Sequence, residues 1–261
     1  MSKGQIKILV ATHKKYKMPE STVYLPIHVG KKGKKDLGYI GDDSGDNISE
    51  KNEYYCEVTG LYWAWKNLQT EYIGLNHYRR YFTKKGLFQS LLNKNNKYKL
   101  ILNDYSIKEL LKDYDVILPK KRNYFIETVW SHYKNAHNIR DLEQTRIIIK
   151  EKYPEYLSNF DNVMKSKKLH LYNMFIMRKK DFDEYCEWLF DILFELERRI
   201  DTSKYDNYQK RVFGFISERL FNVWLDHKKF NKVELRVINI EKINWVKKIY
   251  SFLKRKIKGP S

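Results

Sequence analysis

Residues 72–82 read YIGLNHYRRYF, and the reading of the whole chain works outward from them. Tyr72 to Leu75 is a short apolar run suited to a buried strand. It gives way at once to His77, Tyr78, Arg79 and Arg80. A buried strand that ends in a burst of polar groups often ends at a site. Successive strand residues face opposite sides of a sheet, so Arg79 and Arg80 diverge if the strand continues. One of them then holds structure while the other, with His77, meets an anion. The competing reading makes both arginines surface charges after an edge strand.

Around this motif the hydrophobic pattern predicts strands at 6–12, 23–30, 98–102 and 115–119, with helices at 53–67 and 106–113. Strands alternating with helices argue for an α/β fold with a largely parallel sheet. Beyond residue 120 the pattern turns mostly helical, with segments at 127–137, 139–152, 155–165, 180–199 and 209–226. Strand-like LYNMFIM (171–177) and KVELRVINI (232–240) interrupt them. The expected organisation is one domain over 1–240, with halves near 1–120 and 121–240, followed by a tail at 241–261. No internal repeat occurs.

The chain has 261 residues, 42% of them hydrophobic, with 51 Lys and Arg against 32 Asp and Glu, a formal charge of +19. That excess favours anionic partners such as nucleotides, lipid phosphates, nucleic acid or an acidic membrane face. AT-rich coding produces a similar lysine excess without any binding role. No run of about 18 apolar residues is present. The N-terminal residues have no signal-peptide core, so the expected location is the cytoplasm. Cys56 and Cys186 make neither a disulfide framework nor a zinc site and read as buried thiols.

The loop GDDSGDNISEKNE (41–53) spaces its acids like a calcium-binding loop, but Asn47 stands where that motif needs glycine. A cap role for Ser49 or Asn52 on the 53–67 helix fits better, and a helix start of this kind is favourable for a phosphate. In RVFGFISERLFNVWL (211–225), Arg211 and Glu218 lie two turns apart on one face; an ion pair that stabilises the helix is the plain reading. The C-terminal INWVKKIYSFLKRKIK is amphipathic and basic. It reads as a helix lying in the headgroup plane of an anionic membrane, with docking on the domain as the alternative. P-loop, dinucleotide-binding, serine-hydrolase and common zinc motifs are absent from the sequence.

Taken in order, ATHKKY (11–16), GDNISEKNEYYCEVTGLYWAWKN (45–67), YIGLNHYRRYF, DVILP (115–119), HLYNMFIM (170–177) and GFISERLFNVWL (214–225) resemble a bacterial family. Its members, formerly known only as a domain of unknown function, are treated as glycosyltransferases of capsule, exopolysaccharide and O-antigen clusters. The resemblance covers roughly residues 5–226 and leaves out the basic tail. It implies a glycosyltransferase A-type fold, with a nucleotide-sugar half and an acceptor half, and a UDP-sugar donor, with galactofuranose or galactose favoured.

On that reading the strand ending at His77 replaces the Asp-x-Asp metal site of many such enzymes. Departing UDP needs either a metal or fixed cations. His77 and Arg79, helped by Lys14 or Arg211, take that part. Metal dependence on manganese or magnesium stays open, with Asp42, Asp43 and Asp46 as candidate ligands. Thr12, His13 and Lys14 would receive the nucleotide, Tyr16 would stack on the base, and Asp46, Asn47 and Asn52 would line the donor side. Inverting transfer needs a base for the acceptor hydroxyl: Glu218 first, Asp183 second. His170 and Asn173 are assigned to the acceptor, expected to be a polyprenyl-diphosphate-linked glycan. The tail would hold the protein on the inner face of the cell membrane. The rival classes are a basic nucleic-acid-binding protein, which lacks a recognition motif, and a silent scaffold of the same fold.

Overall fold

The computed structural model describes residues 5–86 and 96–241, and the opening motif lies mid-sheet in it. Strand β4 (Tyr72–His77) runs parallel to β1 (Ile6–Thr12) on one side and antiparallel to β9 (Phe175–Arg178) on the other. Outward from β1 come β2 (Tyr24–His28) and β3 (Ile40–Gly41), all parallel. Outward from β9 come β6 (Val116–Pro119), β10 (Lys232–Asn239) and β5 (Arg80–Thr83). β5 turns back to β4 through the pair His77↔Arg80.

The sheet is therefore mixed rather than largely parallel, since β5 and β9 oppose their neighbours. The reason lies in the path of the chain. After β6 it leaves the sheet through the short ribbon of β7 (Arg122–Asn123) and β8 (Lys168–Leu169). The helices between those two strands bring it back to the edge it left, so β9 must run the other way. Gly74 makes this pairing possible: a Cβ there would sit 2.7 Å from the Phe175 carbonyl oxygen.

Period-two alternation divides the core. Ile73 and Leu75 face one layer; Ile6, Ile8 and Val10 face the other. The larger layer holds α2 (Val58–Asn67), α7 (Lys179–Arg199) and α8 (Val212–Lys228). In α7, Phe182, Tyr185, Leu189, Ile192, Leu193 and Leu196 are buried, as their spacing predicts. Each fully buried side chain of this size contributes about 1.5–3 kcal/mol. The smaller layer is covered by α3 (Asp104–Asp113), capped by Asn103, whose side chain accepts from Ser106 N.

Four further expectations differ from the structure. The 53–67 helix is broken: α1 (Asn52–Tyr55) stops at Cys56, whose φ is 54°, before α2 begins. Neither Ser49 nor Asn52 caps it. Residues 98–102 are no strand; Lys97–Leu100 forms a 3-10 turn that still buries Leu100 and Leu102. So short an apolar run does not distinguish strand from turn. In the 171–177 segment the strand begins only at Phe175, because Tyr172 and Asn173 are left-handed, with φ of 74° and 51°. The remaining helices, α4 (Val129–Ala136), α5 (Ile139–Lys152) and α6 (Leu157–Lys165), fall where the periodicity puts them. Almost all of the basic tail lies outside the described residues. Among those residues no helix is long and apolar enough to cross a membrane.

Candidate active site

Strands β1, β2, β4, β6 and β10 all end at one edge of the sheet, the usual ligand-binding edge of such folds. The left-handed pair Tyr172–Asn173 brings β9 in at that same edge. Tyr172 is held from both sides. Half-buried His77 meets its carbonyl, Nε2 to O 2.7 Å, and its N–H donates to Oε1 of Glu218 at 2.6 Å. The Asn173 amide donates to Oε1 of Glu57 at 2.9 Å and to Ser217 Oγ at 3.1 Å. Two consecutive non-glycine residues at positive φ are uncommon and carry strain; these four contacts hold it.

Glu218, from α8, has an 18% exposed side chain, and its Oε2 lies 3.3 Å from Nη1 of buried Arg219. Burial pushes the Glu218 carboxyl above the usual range; Arg219 and the Tyr172 N–H oppose that push, while neighbouring Glu57 adds to it. His77 is pushed the other way by burial, below its ordinary value, so near neutral pH it is an uncharged donor. The Arg80 guanidinium stacks 4.4 Å from the Tyr172 ring centre. Exposed Arg211 extends from the start of α8 to Cys56, Nε to Sγ 3.2 Å. Cys56 is thus half-buried at the edge of the site, its thiol raised to about 11, whereas Cys186 is a core thiol.

A second cluster follows β1. Lys14 Nζ lies 5.1 Å from the Tyr78 ring centre and 5.6 Å from that of Tyr16. His13 and Tyr16 meet Tyr78 edge-on at 5.5 and 4.9 Å. Glu241, after β10, joins Arg79 at 3.2 Å and Lys14 at 3.7 Å. The two arginines of the opening motif do diverge, Arg79 toward Glu241 and Arg80 toward Tyr172.

Several predicted site residues are already engaged elsewhere. Thr12 is buried, and its hydroxyl donates to the Lys14 carbonyl at 2.7 Å. Asn52 donates to the Cys56 carbonyl at 2.7 Å and to Thr59 Oγ1 at 3.1 Å. Asn47 is closed on Gly45 and Ser49 within its own loop. His170, only 3% exposed, meets the Pro119 carbonyl at 2.6 Å, which clamps β6 to the chain before β9. Asp183 pairs with Lys179 beside Glu71, at the far end of β4 from Glu218.

The metal candidates do not form a donor set. Asp42 is fully buried and accepts from Gly30 N, Lys31 N, Ser49 Oγ and Thr59 Oγ1 at 2.5–3.1 Å. Asp43 faces Lys31 at 3.9 Å, and Asp46 accepts from Tyr62 at 3.1 Å. No trio of metal-ligating side chains converges among the described residues. Pattern reading missed Glu57, Tyr172 and Glu241, and it left open which of Arg79 and Arg80 faces the site. Glu57 and Tyr172 are carried by local backbone reversals at Cys56 and Tyr172, which periodicity does not register.

The profile of the family described as "Domain of unknown function (DUF4422)" matches residues 7–229. The chain belongs to that family. Among solved structures it is similar to the WbbM bifunctional glycosyltransferase in its apo form, with 31% identity and a TM-score of 0.82 over 91% of this chain. The match spans 46% of the WbbM chain, so this DUF4422 chain corresponds to about half of that protein. No curated protein matches it.

Proposed function

We propose that the chain is a glycosyltransferase that moves a sugar from a nucleotide-sugar donor to an acceptor hydroxyl. The observation that carries this reading is Glu218: a half-buried carboxylate with a raised pKa, fixed by Tyr172 and Arg219 beside Glu57, at the edge where cationic side chains gather. The likeness to half of a bifunctional glycosyltransferase supports it.

In the proposed step Glu218 takes the acceptor proton as the hydroxyl oxygen attacks the anomeric carbon. The bond to the nucleoside diphosphate breaks, and its electron pair leaves with the phosphate oxygen. Attack opposite the leaving group inverts the centre. Arg79, Arg80, Lys14 and Arg211 supply positive charge for the departing diphosphate. Neutral His77 serves as a positioning residue, holding Tyr172 and so Glu218. The partly exposed ring of Tyr16 suits a nucleotide base. Among the described residues no set of carboxylates is suited to a metal, so these side chains carry the charge of the step.

The favoured donor is UDP-linked galactofuranose or galactose. The acceptor is a lipid-linked glycan at the inner membrane face, supported by the net charge of +19. The test is a thermal-shift screen with UDP, UDP-galactopyranose and UDP-galactofuranose, with and without EDTA, followed by turnover assays. Stabilisation by a UDP-sugar that Glu218→Gln retains, with turnover lost, is expected. No response to any sugar nucleotide overturns the reading.

A further inference from the structure

The ribbon of β7 and β8 ends in an apolar tip that no core residue needs. Phe125 is 76% exposed and Ile126 is 89% exposed. The tip is built to stand out. Tyr124 N donates to the Lys167 carbonyl at 2.9 Å, Phe125 N to Asn123 Oδ1 at 2.8 Å, and Ile126 N to the Tyr124 carbonyl at 2.7 Å. Phe125 is left-handed, with φ of 60°. Behind it, Tyr124 stacks on His132 at 4.1 Å, and the Thr128 capping box starts α4. Two large apolar side chains are thus fixed side by side in water.

Their surroundings are basic. Lys120, Lys121, Arg122, Lys167 and Lys168 are all exposed on this ribbon. Among the described residues none of them is in an ion pair. The one carboxylate of the 120–128 loop, Glu127, accepts from Asn135 instead. An apolar wedge with a cationic collar matches the boundary of an anionic bilayer, where rings and aliphatic chains enter the acyl region and ammonium groups stay with the phosphates.

We propose that the Phe125–Ile126 tip, on its basic ribbon, docks the protein on an anionic lipid surface. The ribbon leaves the sheet just after Pro119, at the edge that carries Glu218. Arg219, beside Glu218, acts electrostatically on both Tyr124 and His132. Docking by the tip therefore sets the candidate site beside the lipid. The contact uses no residue of the C-terminal tail and does not depend on the glycosyl-transfer reading.

The experiment uses the full chain with vesicles of phosphatidylglycerol and phosphatidylcholine, against phosphatidylcholine alone. In Phe125→Trp, emission above that of the unsubstituted protein is expected to be quenched by brominated acyl chains in the anionic vesicles only. Phe125→Ser with Ile126→Ser is expected to weaken partitioning about tenfold or more, with an unchanged melting temperature. Vesicle binding without quenching at position 125 overturns the proposal and assigns the contact to another part of the chain. Absence of binding to anionic vesicles also overturns it. A drop in oligomeric mass for the double serine variant, without vesicles, assigns the tip to a second copy of the chain and overturns it too.

Discussion

The backbone N–H of Tyr172 donates to Oε1 of Glu218 across 2.6 Å, so a strained turn on one side of the sheet edge fixes the carboxylate of a helix on the other. Glu218→Gln keeps an acceptor at that position, so folding should change little. It removes the base. A fall in kcat of about 10²–10⁴-fold is expected. In the unsubstituted protein, activity falls as pH drops through the raised pKa of Glu218, because the protonated carboxyl takes no proton from the acceptor. Profiles of kcat against pH check this. A variant that retains the acidic limb would rule out Glu218 as its source.

Glu241 neutralises Arg79 and Lys14 in the same cluster. All three side chains are a third exposed or more, so the pairs contribute only about 0–1 kcal/mol to folding. Their effect should appear in donor binding instead. Glu241→Gln leaves the two cations free and is expected to lower the donor KM several-fold, most clearly at low salt. Arg79→Ala is expected to raise it about tenfold. Steady-state kinetics at two ionic strengths test both, and equal KM values in all three proteins would remove Arg79 from the diphosphate site.

Asp42 accepts four hydrogen bonds with two oxygens inside the 41–53 loop. Asp42→Asn replaces one accepting oxygen with a donating NH2 group that faces two donors, and is expected to lower stability by about 2–3 kcal/mol. Manganese and magnesium should shift the melting temperature of variant and parent equally. A cation response present in the parent and lost in the variant would return Asp42 to the metal site.

Much of this edge was legible from the residues themselves. The run 72–77 announces a buried strand, the 180–199 spacing announces α7, and Glu218 is conspicuous as a carboxylate on an otherwise apolar helix. What stayed hidden depends on backbone reversals and distant partners. Cys56 and Tyr172 take positive φ without being glycine, so neither the break in the first helix nor the late start of β9 has a local signal. His170 and Asp42 are chemically plausible ligands by type; only the fold shows their burial and their existing partners, set across 51 residues for His170 and Pro119 and 12 for Asp42 and Gly30. Glu241 reaches Arg79 only because β10 runs beside β5.

His170 makes stability depend on pH in a direction that can be worked out. Burial holds its imidazole down at about 4; the Pro119 carbonyl and Glu234 oppose that, and Lys121 and Lys232 add to it. In the unfolded chain an ordinary histidine titrates near 6.5. Between these values the unfolded state binds the proton and the folded state does not. The stabilisation is therefore full above about pH 6.5 and is lost progressively as pH falls toward about 4. His137, held at about 3 by burial, acts in the same direction. Asp141, raised to about 6 by burial, acts oppositely, since its contribution is present at low pH and lost as pH rises through 6. His170→Asn keeps a donor for the Pro119 carbonyl without the titrating ring, so its stability should fall less between neutral pH and about pH 5 than that of the parent. Urea unfolding midpoints at the two pH values measure the difference. Parallel losses in the two proteins would show that His170 is not the group that takes up the proton.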